Sequence, residues 1–399
     1  MKVLQLCHKP PFPAVDGGCI AMENITRGLI EQGCDVKLLT ISTHKHRLEL
    51  ENVPKDILEK TKIEGVFVDT RVNIVDAFSS LITQDSYNIS RFFSTDFDIK
   101  LTELLQEESF DVIHLESLFM TPYIGTIRRS SNAKIVLRSH NLEYIIWDRI
   151  ARGTRSIAKK AYLRYLSRKL KKYELDVMEQ VDGIATISDE DLKRYKKLGF
   201  EKSMVNIPFG IDFNNYVCPV DNKPRLALFH LGSMNWMPNL EGVLWFLEDI
   251  WPTIHEKFPE LELHLAGREM PDDLMDEPQP NVHIIGEVED AKKFICSNAI
   301  MIVPLLSAGG IRVKIIEGMA LGRAIISTSV GAEGIDCKNG EDIMIASNAK
   351  QFVAAIQKFV DNPELAAQMG ERARELVSKK YDNHKLSAEL VEFYKSLSA

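Results

Sequence analysis

Short, almost continuously apolar runs alternate along the chain with amphipathic stretches of helical period. Residues 2–7 (KVLQLC) and 35–42 (DVKLLTIS) have the character of strands buried on both faces. Between them Pro10, Pro11, Pro13, Gly17 and Gly18 make a loop into a predicted helix over 19–32, ended by Gly33. Together these predict a β-loop-α-β unit of doubly wound type. Residues 111–115 (DVIHL), 134–138 (KIVLR) and 181–187 continue the strand series, and Ser188 followed by Asp191 predicts a helix start whose helix stops at Gly199. Pro, Gly, Asn and Asp then concentrate over 206–224, where the linker is placed. A second alternation follows, with strands at 226–231, 261–266, 282–285, 299–304 and 324–328 and a helix over 239–250. The pattern predicts an α/β protein of two Rossmann-like, doubly wound parallel-sheet domains, residues 1–205 and 206–382.

The densest chemistry lies in 307–331, SAGGIRVKIIEGMALGRAIISTSVG. Gly309 and Gly310 are expected to open a helix whose free N–H groups and positive dipole end attract an anion, with no side chain to block its approach. Gly310, Lys314 and Glu317 are spaced i, i+4, i+7, so on one helix they share a face. A diphosphate on the glycines and Lys314, with ribose hydroxyls on Glu317, is the functional reading; an amphipathic helix carrying a Lys314–Glu317 surface pair is the bland one. Two further loops at strand ends join it. Gly232 and Ser233 offer an N–H and a hydroxyl to phosphate, and Ile285 with Gly286 offers backbone contacts to a flat base.

In the first half, Asp16-Gly17-Gly18 stands where GxGxxG would stand in a dinucleotide fold, so that fingerprint is missing and the glycines permit close approach of a substrate. His140 follows the strand at 134–138, where open α/β sheets place ligand contacts, and is expected to bind or polarise a sugar hydroxyl. Asp96-Phe97-Asp98 matches a short metal-binding pattern, but such a match is expected by chance here, and capping of the following helix explains it better.

Composition narrows the partners. At 399 residues about two domains are expected, and a net charge of −8 argues against nucleic acid. Against that acidic background, residues 149–172 carry ten basic residues and no acidic one, with Ile150, Ile157, Ala161, Tyr165, Leu170 and Tyr173 at roughly helical spacing. A basic amphipathic helix meeting an anionic membrane surface and a solvated helix face are both open readings. Six scattered cysteines without CxxC predict reduced thiols and a cytoplasmic protein, at most peripheral to the membrane's inner face.

In order and spacing, PPFPAVDGG, SHNLE, VDGIATIS, VNIPFGID, HLGSMNWMPN, VHIIGEV, the 307–331 stretch and GAEGI resemble the retaining glycosyltransferases of family 4, over nearly the whole chain. The resemblance implies a GT-B fold, two Rossmann-like domains facing a cleft, with acceptor bound by the first and nucleotide sugar by the second. It also implies that the last helix, about 383–397, returns to the first domain. Retention, a glycan or lipid-linked acceptor and surface polysaccharide or glycoconjugate synthesis belong to the same implication. Two departures stand out. The family's pair of acids eight apart matches Glu317 but meets Gly309 at its first place. The arginine and lysine that commonly follow the glycine matching Gly232 are replaced by Ser233 and a neutral segment around Asn239. A GGxRxKxxE subgroup is similar, and there Arg312 and Lys314 would supply the missing charge, so no metal or other cofactor is expected. His140, Arg312 and Lys314 are then the catalytic candidates, and Gly17, Gly18, Gly232, Ser233, Ile285, Gly309, Gly310, Ile311 and Glu317 the donor-binding ones. A sugar-nucleotide epimerase and a non-catalytic nucleotide-sugar-binding protein remain alternatives.

Overall fold

The computed structural model describes residues 1–70, 87–154, 156–219, 223–276, 279–307 and 310–398, so Gly309 lies outside the described residues. Two compact units emerge, Met1–Gly210 with Asn383–Ala399, and Ile211–Asp382.

Among the described residues the first unit holds a seven-stranded sheet: β1 (Lys2–Cys7), β2 (Asp35–Ser42), β3 (Glu64–Phe67), β4 (Val112–Glu116), β5 (Lys134–Ser139), β6 (Gly183–Thr186) and β7 (Ser203–Asn206). The order is β3-β2-β1-β4-β5-β6-β7, and every pairing is parallel. Strand order reverses at β1 and β4, so the crevice beyond their C-terminal ends is where such a sheet binds its ligand. Helix Gly17–Glu31 covers one face together with the last helix, Asn383–Ser398. Ile25, Leu29, Leu386, Leu390 and Tyr394 pack there on Val3 and Val112. Full burial of a residue such as Leu390 contributes about 1.5–3 kcal/mol. The two helices meet at Gly28, where a Cβ would fall 1.8 Å from Ser387 Oγ.

The second unit has a six-stranded sheet among its described residues, order β10-β9-β8-β11-β12-β13. Its strands are β8 (Arg225–Leu231), β9 (Leu263–Ala266), β10 (Val282–Gly286), β11 (Asn298–Val303), β12 (Ala324–Ser327) and β13 (Met344–Ile345), again all parallel. Here the order reverses between β8 and β11. Leu228, Ile300, Ile302 and Ile326 from the central strands pack on Phe246, Ile250 and Phe352 of the covering helices.

Several expectations need correction. The helix of the 307–331 stretch is Val313–Ala320, with Arg312 as its N-cap at φ −85°, ψ 92°. Gly310, at φ +75°, lies in the left-handed region and precedes the helix, so the glycines do not open it. Lys314 and Glu317 still share a face at i, i+3, but Gly310 does not join it. The basic segment is two helices, Glu143–Gly153 and Ile157–Gln180, the second capped by Ser156, whose hydroxyl accepts from Lys159 N–H. Its buried stripe is Leu163, Leu166, Leu170, Glu174 and Val177, while Ile150, Ile157, Ala161 and Tyr165 are exposed, so the expected apolar register holds only at Leu170 and at Tyr173, which is half-buried against the core. The Glu174 carboxylate turns inward because it accepts the N–H groups of Glu143 and Tyr144 at 2.8 and 3.1 Å, capping the preceding helix. The expectation of reduced thiols also fails for one pair. Cys218 and Cys296 form a disulfide across a sequence separation of 78 residues, because the segment after Tyr216 lies against helix Ala291–Ser297.

Candidate active site

In the second unit, β8 ends at Leu231 and the chain turns through Gly232 and Ser233 toward helix Met237–Trp245. Lys314, from helix Val313–Ala320, sends its ammonium back to this turn. Its Nζ donates to Asn239 Oδ1 at 2.9 Å, and Asn239 Nδ2 donates to Ser233 O at 2.8 Å. Gly232 leaves room for both side chains: a Cβ there would lie 2.4 Å from Lys314 Nζ and 2.6 Å from Asn239 Nδ2 and would have to displace them. Burial pulls Lys314 down to about 7, the nearby Arg312 charge adds to the depression, and Glu317 opposes it. Beneath the same turn His230 is fully buried, its Nδ1 donating to Ile302 O at 3.0 Å. Burial and then Lys314 hold His230 well below the ordinary histidine value, so it stays neutral.

Glu317 lies one turn beyond Lys314. Tyr216 donates its hydroxyl to Glu317 Oε1 at 2.8 Å, and Lys292 Nζ sits 4.8 Å from the Tyr216 ring centroid. Burial raises the Glu317 pKa, while the Tyr216 hydrogen bond and the charges of Lys292 and Lys314 work against the rise. The carboxylate therefore has one fixed donor and an acceptor oxygen left over, the equipment needed to take a hydroxyl hydrogen bond. Arg312 is buried at the N-cap. Ile285 is half-exposed beside Gly286, whose carbonyl accepts from Gly267 N–H at 2.7 Å and ties the loops after β9 and β10 together. The Ser233 hydroxyl donates to Asn235 Oδ1 at 3.0 Å. Lys314, Glu317, Gly232 and Ser233 are thus drawn to one face of the sheet's C-terminal edge.

In the first unit the residues converge on Glu116, the last residue of β4, which is fully buried. Its Oε1 accepts from Gln5 Nε2 at 3.0 Å and from His114 Nε2 at 3.2 Å; its Oε2 accepts from His140 Nε2 at 3.0 Å. Arg138, its register partner on β5, places Nε 3.6 Å from Oε2. Burial alone would raise the Glu116 pKa, but His114, His140 and Arg138 together hold it well below the carboxylate range. A carboxylate can only accept, so His140 carries its proton on Nε2, which leaves Nδ1 as the ring's acceptor. Burial lowers the His140 pKa against the pull of Glu116, favouring the neutral ring. Behind His114, Tyr394 of the last helix donates to Nδ1 at 2.6 Å, and Thr26 donates to Gln5 Oε1 at 2.7 Å.

His8, just after β1, donates from Nδ1 to Glu116 O at 2.9 Å, and its ring centroid is 6.0 Å from that of His140. Burial, then Lys9 and His140, bring it down to about 3. Gly17 and Gly18 open helix Gly17–Glu31, whose N-cap Asp16 accepts from Cys19 N–H at 2.9 Å. What approaches Gly18 is the Lys9 ammonium, 2.9 Å from where a Cβ would stand and 2.7 Å from both Asp16 oxygens. His46 reaches Asp16 Oδ2 at 3.1 Å. Sequence reading missed Glu116, Arg138, His8, Lys9 and Asn239. His114 and Glu116 alternate on one face of an otherwise apolar strand, and that was the available signal for the first of them. Asp98, for its part, accepts from Thr126 Oγ1, and the helix it sits in starts after Ser94.

Comparison with known proteins bears on the family and the fold. The model for Glycosyltransferase Family 4 matches residues 15–215, and that for Glycosyl transferases group 1 matches 225–362. An uncharacterized 44.6 kDa protein in the cps region of Klebsiella pneumoniae is 23% identical over 398 residues, covering 96% of this chain and 97% of the relative. The structure is similar to sucrose-phosphate synthase from Thermosynechococcus elongatus, with TM-score 0.72 at 15% identity, covering 100% of this chain and 99% of that one. It is also similar to Anabaena HepE in complex with UDP, with TM-score 0.70 at 12% identity, covering 99% and 100%. The fold is therefore GT-B, two Rossmann-like units of parallel sheet.

Proposed function

We propose, because the chain belongs to glycosyltransferase family 4, that it is a retaining transferase. It moves a hexose from a nucleotide-sugar donor to a glycan or lipid-linked acceptor in surface polysaccharide synthesis. The observation that carries this reading is the Lys314 ammonium held at Gly232 by Asn239, with Glu317 one turn away. The cps-region relative supports the polysaccharide context, and the UDP complex of the HepE neighbour supports a nucleotide donor.

On this reading the second unit holds the donor. Lys314, Arg312 and the Gly310 backbone take the diphosphate, Glu317 takes the ribose hydroxyls, and the Ile285–Gly286 turn takes the base. The bond from the anomeric carbon to the diphosphate oxygen breaks with its electron pair going to that oxygen. The two cations stabilise the charge as it develops, which is the work a divalent ion does in metal-assisted transferases. The acceptor hydroxyl then bonds to the anomeric carbon on the same face and gives its proton to the leaving phosphate. To the first unit we assign the acceptor, and to His140 Nδ1 a hydrogen bond from a sugar hydroxyl. Exposed Ile157 and Tyr162 among the basic residues of 149–172 are the surface we assign to contact with an anionic membrane carrying a lipid-linked acceptor. Among the described residues no helix is long and apolar enough to cross a membrane.

A thermal-shift screen across UDP-, GDP-, ADP- and CMP-sugars tests the donor assignment, since a ligand that binds only the native state raises the melting point. Transfer to acceptor with the donor's anomeric configuration, undiminished by EDTA, is the expected activity. Conversion of the nucleotide sugar to an epimer without acceptor overturns it.

A further inference from the structure

A cluster of ligand-bearing side chains lies on the second unit's sheet, apart from the donor residues. Glu262 immediately precedes β9 and His264 is its second residue, so the two side chains leave the sheet on one face. His283, second residue of the edge strand β10, is the register partner of His264. The two imidazoles stack with centroids 4.9 Å apart and planes 18° apart. The Glu262 carboxylate bridges them, with Oε2 3.0 Å from His264 Nε2 and Oε1 3.8 Å from His283 Nε2. One ligand atom from each residue lies within 4.8 Å of the others.

We propose that Glu262, His264 and His283 bind a divalent transition-metal ion of the zinc type, which clips the edge strand β10 to β9. Two imidazole nitrogens and one carboxylate form a donor set suited to zinc, cobalt, nickel or copper, and ill suited to magnesium or calcium, which take oxygen shells. Three protein ligands leave one tetrahedral position for water. His264 is buried and fixes one ligand, while His283 and Glu262 are half-exposed and leave the ion a path from solvent. On the neighbouring strand β8, Arg225 Nη1 stands 3.6 Å from Glu262 Oε2 and steadies the carboxylate.

The position favours a structural ion. The ligands sit in the first half of their strands, whereas the loops of the candidate donor site leave from the opposite ends, at Gly267 and Gly286. In this sheet β10 pairs with β9 alone, and its register is interrupted between Ile284 and Gly286. A metal bond at His283 would hold the part of that strand ahead of the interruption.

Titration of the metal-stripped full chain with zinc or cobalt chloride tests the proposal, followed by calorimetry and by the visible absorption of bound cobalt. One ion per chain is expected, with an absorption of tetrahedral type. In His283→Gln and Glu262→Gln, both changed at half-exposed side chains, affinity should fall about tenfold or more, at least as much as when a metal ligand loses its supporting partner. Zinc should raise the melting point of the wild type and not that of His283→Gln. Absence of saturable binding, or affinity unchanged in either variant, overturns the site.

Discussion

Lys314 Nζ lies 2.9 Å from Asn239 Oδ1, two side chains 75 positions apart in sequence that meet over the bare backbone of Gly232. The ammonium therefore occupies the turn after β8, where the family resemblance implies an arginine and a lysine. Asn239→Ala removes its anchor, and a hydrogen bond to a charged group is worth about 1.5–3 kcal/mol, so nucleoside-diphosphate affinity should fall roughly 10- to 100-fold. Gly232→Ala should act the same way through displacement, because its Cβ would stand 2.4 Å from Nζ. Calorimetric titration with UDP or the nucleotide found in the screen measures both. Unaltered affinity in the two variants would remove Lys314 from the diphosphate site.

The same lysine sets a pH dependence. With Lys314 brought down to about 7, the free protein carries its ammonium below that pH and loses it above. Diphosphate affinity should therefore decline as pH rises beyond about 7, by at most roughly tenfold per unit, and binding should take up a proton. Stability of the unliganded protein runs the other way. The folded value lies below lysine's ordinary 10.5, so the unfolded chain binds the extra proton between the two, and stability rises with pH across that window. Lys314→Met should flatten both curves, which titrations in buffers of different ionisation enthalpy and melting points against pH will show.

Glu317 separates recognition of the ribose from recognition of the phosphates. Glu317→Ala should weaken a nucleoside diphosphate by about tenfold or more, the cost of one charged hydrogen bond, while inorganic pyrophosphate binds as before. Tyr216→Phe removes the hydroxyl that holds Oε1 and should give a smaller loss in the same direction. Equal weakening of both ligands would move Glu317 from the ribose to the phosphates.

How much of this was legible beforehand depended on whether the signal was local. Buried central strands such as KVLQLC and KIVLR announced themselves as apolar runs, and the alternation around them predicted two doubly wound sheets. The additional strands β3, β7 and β13 were not legible: Glu64–Phe67 alternates in burial, Ser203–Asn206 is at best half-buried, and Met344–Ile345 is two residues long. Lys314 and Glu317 could be proposed because they share one helix. Asn239, Arg138 and Cys218 could not be given their partners, because each meets a residue brought to it by strand order or by the packing of a distant segment. The helix start was misplaced because two glycines resemble an anion-binding helix opening, whereas Gly310 adopts a positive φ and Arg312 occupies the N-cap position without a side-chain cap.

Glu116 and His140 should separate stability from turnover. Glu116→Gln puts an amide among donors from His114, His140 and Gln5 and leaves the buried Arg138 charge uncompensated. Losing one partner of a buried ion pair costs about 3–5 kcal/mol, to be read from denaturant unfolding. His140→Ala, at the partly exposed edge of that network, should leave the unfolding midpoint nearly in place and lower kcat by roughly 2- to 10-fold, the worth of one hydrogen bond from the sugar. A large loss of stability with unchanged kcat in His140→Ala would make the histidine part of the scaffold.

The return of Asn383–Ser398 to the first unit makes the second an insertion within it, entered at Ile211 and left at Asp382, where those two residues form a β-bridge. On the ribosome, all of the second unit is translated before the helix that covers β1 and β4 with Leu390 and Tyr394. The second unit can therefore assemble on the nascent chain while the first waits for its closing helix. Because its two ends emerge side by side, 211–382 is also the piece that could be exchanged between relatives as a cassette, leaving the receiving unit's chain path intact and, on the proposed donor assignment, carrying donor preference with it.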